Sequence, residues 1–96
     1  MEQLTPEKMR LRILRILDAS RSIAVGEELL LRVLFERQLH PTHKSLREHL
    51  EFLLEQELIT MERRGVAEWS PRISERGVAV LQGLESCPIG VEPPGR

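Results

Sequence analysis

THKSLREHLEFLLEQELITMERRGVAEW, residues 42–69, changes its hydrophobic period once, and that change decides the fold. Thr42 can cap a helix, because its hydroxyl accepts one of the orphan N–H bonds of the first turn. Leu46, Leu50, Leu53 and Leu54 then recur at i, i+4, i+7 and i+8, a single helical stripe. Lys44, Arg47, Glu48, Glu51 and Glu55 occupy the other side. After Glu57 the alternation of Ile59 and Met61 with Thr60 and Glu62 is that of a half-buried strand. Arg63-Arg64-Gly65-Val66 reads as a hairpin tip, with Gly65 free to take positive φ. Ala67 and Trp69 are expected to share one face of the returning strand. The stretch therefore predicts a helix over 42–56 feeding a two-stranded ribbon with a basic tip at 63–66.

Upstream, Thr5-Pro6-Glu7 starts a first helix: a capping hydroxyl, a proline at the first helical position and an acid at the positive end of the dipole. It is expected to reach Ala19, with Met9, Ile13, Ile16 and Leu17 inward and Lys8, Leu11, Arg12 and Arg15 outward. Ile23-Ala24-Val25 fits a stub strand. Gly26 can cap a second helix from Glu27 to Leu39, whose Leu29, Leu30, Leu31, Val33, Leu34 and Phe35 spread beyond one stripe. Such a helix needs cover on more than one side, and in so small a chain a second subunit is the expected cover. Leu11, Leu29, Leu31 and Phe35 are the expected dimer interface. Pro41 disfavours helical geometry at His40 and fixes the turn before the third helix.

Downstream, Pro71 suits an edge or strand end, since it cannot donate to a ladder. Ser74-Glu75-Arg76 caps a last helix to Leu84, with Val78, Leu81 and Leu84 inward. Residues 85–96 have no period and several prolines and glycines. They are expected to form an extended tail beyond a 1–84 domain, ordered only against a neighbour.

The totals narrow the function. Ninety-six residues make one domain, and the single cysteine, Cys87, forms no internal disulfide, which suits a reducing, cytoplasmic setting. No stretch has the length of a membrane span and no leader is recognisable. With one tryptophan, two phenylalanines and no tyrosine, the chain lacks the platforms that stack single-stranded bases. The net charge of −1 means that any DNA contact must come from a local patch or from doubling it. Within residues 40–72, five basic side chains face six glutamates.

His40, His43 and His49 lie close in sequence, but no cysteine or carboxylate joins them at ligand spacing, so no metal or cofactor is expected. No nucleophile–base arrangement or phosphate loop appears, and Cys87 has no activating base; no enzyme activity and no small-molecule substrate are expected. Lys44 and Arg47 lie near the start of helix three, the end that enters a major groove in helix-turn-helix docking. Thr42, His43 and Ser45 can bond phosphates there. Arg63 and Arg64 suit backbone or minor-groove contact, with Arg12 and Arg15 as flanking phosphate contacts. Glu48, Glu51 and Glu55 work against DNA and leave a protein-interaction module as the alternative.

The order of elements, with Thr42-x3-Leu46-x3-Leu50-x2-Leu53 followed by Glu55-Gln56-Glu57-Leu58-Ile59, is similar to winged helix-turn-helix regulators. Glu57 stands where glycine is common, so a different or strained helix exit is expected. The chain also resembles small winged-helix proteins of Mu-like prophages. The matching pieces are Arg10-Leu11-x-Ile13-Leu14, Glu28-x-Leu30-Leu31, Leu50-x2-Leu53-x-Glu55-Gln56-x-Leu58-Ile59, Ser74-Glu75-Arg76-Gly77 and Pro88-x-Gly90-Val91-x-Pro93. The resemblance implies an α+β, mostly helical fold: a three-helix core, a two- or three-stranded β wing and a C-terminal helix. It further implies a prophage-associated regulator of transcription that binds double-stranded DNA.

Overall fold

The structure, a computed structural model, describes residues 4–95. It is a small α+β domain of four helices and one two-stranded antiparallel sheet: α1 Pro6–Ala19, α2 Glu27–Glu36, α3 His43–Glu55, β1 Ile59–Arg64, β2 Trp69–Ile73 and α4 Glu75–Leu81. This order is compatible with the expected winged-helix arrangement. Three helix starts use the hydroxyls read from sequence: Thr5 accepts from Lys8 N–H, Thr42 from Ser45 N–H and Ser74 from Gly77 N–H, at 3.3, 3.0 and 3.0 Å.

Helices α2, α3 and α4 end by one device. In each, a residue just past the helix takes positive φ: Gln38 at 65°, Glu57 at 62° and Gly83 at 78°. The next residue's N–H then reaches back to the carbonyl five positions earlier: Leu39 to Leu34, Leu58 to Leu53 and Leu84 to Ala79, all within 3.0 Å. These paired bonds satisfy carbonyls that a helix end would otherwise leave bare. Only the last site has the glycine that the geometry favours. Glu57 does occupy the strained position expected of it, at a cost of about 1–2 kcal/mol for a side chain in the left-handed region. Burial of Leu58 and Ile59 immediately afterwards offsets that strain. The same device stops α2 at Glu36, short of the expected Leu39.

The hairpin pairs Ile59 with Ile73, Thr60 with Arg72 and Met61 with Pro71; after a bulge it resumes with Arg63 opposite Ser70 and Arg64 opposite Trp69. Pro71 thus sits beside a ladder irregularity, where a missing N–H is tolerated. Its carbonyl accepts from Val25 N–H at 2.9 Å, a backbone bond that ties the 23–25 segment to the sheet. Ala67 lies in the exposed loop before β2 rather than on it, and Gly65 is not among the residues of positive φ.

The core joins all four helices to the sheet through Ile13, Leu14 and Leu17 of α1, Leu30 and Leu34 of α2, Leu46, Leu50 and Leu53 of α3, Ile59, and Val80 of α4. Three expectations fail here. Leu11 is only 7% exposed, so it is a core residue and leaves the proposed dimer surface. Leu84 lies beyond the end of α4 and is 78% exposed instead of inward. The tail needs no neighbour to order it, because Val91 is buried in the chain's own core. Glu92 N–H donates to the Glu7 carbonyl at 3.1 Å, and Arg10 Nη1 donates to the Gly90 carbonyl at 2.8 Å. Gly90, at φ +105°, lies so close to the Phe52 ring that a Cβ there would collide with it.

Candidate functional site

The outward stripe of α3 is Lys44, Glu48, Glu51 and Glu55, all exposed. Beside it, a groove between α3 and the hairpin is lined by His43, Lys44, Arg47, Glu48, Glu51 and Trp69. Arg47 and Trp69 also belong to a part-buried ionic knot that the sequence did not disclose. Glu27, in the first turn of α2, has no solvent exposure. Its carboxylate accepts from Arg47 Nε at 2.9 Å, from Arg47 Nη2 at 2.5 Å and from the Trp69 backbone N–H at 2.7 Å. Arg47 Nη2 also reaches the Val66 carbonyl at 3.3 Å.

The electrostatics follow from those contacts. The Arg47 hydrogen bonds hold the Glu27 carboxyl below the usual range, against burial, which pushes it up; the Trp69 N–H adds to the lowering. In return the Glu27 hydrogen bonds raise the Arg47 guanidinium above its ordinary value. One residue from each of three elements is fixed by this knot, so α2, α3 and β2 meet at one geometry. Arg47 is therefore not the outward-turned side chain expected from its helix position. Its fork grips a carboxylate of its own chain.

Trp69 joins the second pair. The Arg47 and Arg64 guanidinium carbons each lie 4.7 Å from its ring centroid. Arg64 Nη2 also donates to Glu51 Oε2 of α3 at 2.7 Å. Arg64 is thus on the groove side of the hairpin, while Arg63 is exposed and, among the described residues, takes part in no ion pair. Lys44 is likewise exposed without an ionic partner among the described residues. Ser45 N–H is already taken by the Thr42 cap. Arg12 and Arg15 are exposed on α1.

The three histidines go three ways. His40 packs edge-on to Phe35 at 4.8 Å. His43 lies 3.5 Å from Glu27 and 3.4 Å from Glu28. His49 Nδ1 accepts from Arg10 Nε at 3.2 Å, and burial followed by the Arg10 charge pushes its pKa down. Among the described residues no three metal-capable side chains converge. The Cys87 thiol donates to the Val91 carbonyl at 3.2 Å, and burial pushes its pKa up, the reverse of what a nucleophile needs. No helix among the described residues is long and apolar enough to cross a membrane.

Glu27 and Trp69 are the site residues that sequence reasoning missed. Glu27 reads as an ordinary acid in a helix's first turn, and its separation from Arg47 matches no local spacing rule. The aromatic–cation pairing of Trp69 with Arg64 follows from strand register, which the irregular turn conceals. Comparison with family models, curated proteins and solved structures returns no match for this chain.

Proposed function

We propose that the protein is a winged-helix regulator that binds duplex DNA, with α3 as the helix presented to the major groove and the β1–β2 hairpin as its wing. The observation that supports this reading best is the shared groove, in which the start of α3 and the hairpin are braced through Glu27 and Arg47. In this arrangement Arg47 orients the wing, and Lys44, with His43, Thr42 and Ser45 around it, meets the DNA at the helix start. Arg63 and Arg64 serve on the wing, and Arg12 and Arg15 serve as flanking phosphate contacts. An end-on approach keeps Glu51 and Glu55 away from the phosphates. The resemblance to small winged-helix proteins of Mu-like prophages suggests a phage-associated role inside the cytoplasm, without catalysis and without a cofactor.

Titration of a labelled duplex of mixed sequence at low salt tests the reading. Lys44→Ala and Arg63→Ala should each weaken binding across sequences and lower the salt slope by about one unit for each phosphate no longer neutralised. A protein that fails to bind duplex at micromolar concentration removes the proposal. That outcome favours the second reading, a protein-docking module, for which the exposed stripe of Glu48, Glu51 and Glu55 is the specific observation. Its partner would carry a basic surface.

The working unit is proposed to be a homodimer joined through α2. Leu29 and Phe35 are 51% and 64% exposed, and Leu31 is partly covered. Burying a large apolar side chain contributes about 1.5–3 kcal/mol. Phe35→Lys should therefore raise the dimer dissociation constant by about tenfold or more, read by sedimentation equilibrium. A wild-type chain that sediments as a monomer at high concentration rules the dimer out.

A further inference from the structure

Two arginines lie against the Trp69 ring beside the groove, each bound by a carboxylate, but the two carboxylates differ in kind. Glu27 is fully buried and accepts three hydrogen bonds, two of them from Arg47, so it holds that guanidinium firmly. Glu51 is half exposed, at 50% of its side-chain surface, and holds Arg64 through one contact of 2.7 Å. Arg64 is seated independently against the Trp69 ring. Its guanidinium can therefore exchange one anion for another without leaving its place.

We propose that Glu51 is a built-in competitor for the phosphate site on Arg64: in the free protein it occupies the position that a nucleic-acid phosphate takes in the complex. The inference rests on the duplex-binding reading and names how that site is tempered. An arginine–phosphate pair is bidentate and charge-assisted, and each phosphate neutralised also releases condensed counterions. The Glu51 pair is also charge-assisted, but it rests on a single contact and releases no condensed counterions, and exposed pairs of this kind shift an equilibrium by at most about fivefold. Glu51 is strong enough to hold Arg64 in the absence of DNA and weak enough to be displaced. Glu51 thereby lowers, by one common factor, the affinity of every duplex that places a phosphate on Arg64.

Glu55 supplies the control, since it lies on the same exposed stripe and, among the described residues, pairs with nothing. Full-length Glu51→Gln, Glu55→Gln, Arg64→Ala and the Glu51→Gln/Arg64→Ala double variant are titrated with a labelled mixed-sequence duplex at low salt. Circular dichroism confirms that each is folded. Glu51→Gln should raise affinity about three- to fivefold and Glu55→Gln less than about twofold. In the Arg64→Ala background the gain from Glu51→Gln should shrink to that of Glu55→Gln, the signature of a direct coupling. Equal gains from the two glutamine variants, or a Glu51→Gln gain that survives loss of Arg64, overturn the competitor role while leaving duplex binding intact. Absence of binding by every variant and by the wild type overturns the duplex reading, and this inference with it.

Discussion

Replacing Glu27 by alanine is expected to lower the unfolding free energy by about 2–4 kcal/mol, a fall in Tm of roughly 10–20 °C for a chain of this size. The substitution removes the acceptor for three donors at once: two from Arg47 and the backbone N–H of Trp69. Arg47 can turn its freed end to water, but the Trp69 N–H sits in a half-buried strand start and is left without that acceptor. The loss should depend on pH with a definite sign. The carboxyl titrates below its ordinary value of 4.5 in the folded chain, so the unfolded state binds the proton first. Its contribution is complete above about pH 4.5 and is lost as the pH falls through the depressed folded value. The gap between wild type and Glu27→Ala should accordingly narrow on acidification, as read by urea unfolding across the carboxylate range. His49 also favours the folded state less below its ordinary 6.5, but it is common to both proteins and cancels. A gap that stays constant with pH would mean that Glu27 acts by packing alone.

Gly77→Ala should be comparably severe, for a steric reason. A Cβ at residue 77 would collide with the Leu58 carbonyl oxygen and lie 2.7 Å from Ile73 Cγ1. That oxygen is not free to retreat, because it accepts the Ser74 N–H at 3.0 Å. Alanine gains about 1 kcal/mol in helix propensity, while the forced separation of α4 from the sheet costs about 3 kcal/mol or more. Gly83→Ala is the matched control: a Cβ there meets nothing within 4 Å, and only its φ of 78° resists the change. It should lose about 1–2 kcal/mol. Thermal melts of the two variants should therefore differ by about five degrees, with Gly77→Ala the lower; equal melting temperatures would show that α4 can slide clear of Leu58.

The Ser74-Glu75-Arg76-Gly77 run announces a helix start from sequence, yet the glycine in it serves tertiary contact. Sequence legibility ends at that kind of residue. Capping hydroxyls, leucine spacing and the switch to strand period are local quantities, and Thr5, Thr42 and Ser74 behave as their neighbours dictate. Element ends are less legible, because Gln38 and Glu57 adopt a backbone that their side chains disfavour and that the backbone bonds and packing of Leu39 and Leu58 sustain. Leu11 escapes a sequence reading because the helical wheel of α1 takes no account of how closely the rest of the chain wraps around it. The tail escapes for a related reason: composition registers prolines and glycines, whereas Val91 and Gly90 fit a surface assembled from α1 and α3. At the candidate site the exposure of Lys44 is legible; Arg63 and Arg64, expected at the hairpin tip, instead close β1 opposite Ser70 and Trp69, and the fate of Arg47 is not legible. Whether an arginine faces a ligand or its own chain depends on a partner twenty residues away whose burial no local pattern reports.

The chain has a single tryptophan, and its indole lies against two guanidinium groups that belong to α3 and to the hairpin. Intrinsic emission excited at the indole band therefore comes from one place, the joint between helix and ribbon. Any event that draws Arg64 off the ring or loosens Arg47 changes the polarity and the quenching of that one fluorophore. The molecule carries its own optical gauge of how helix and ribbon are held together.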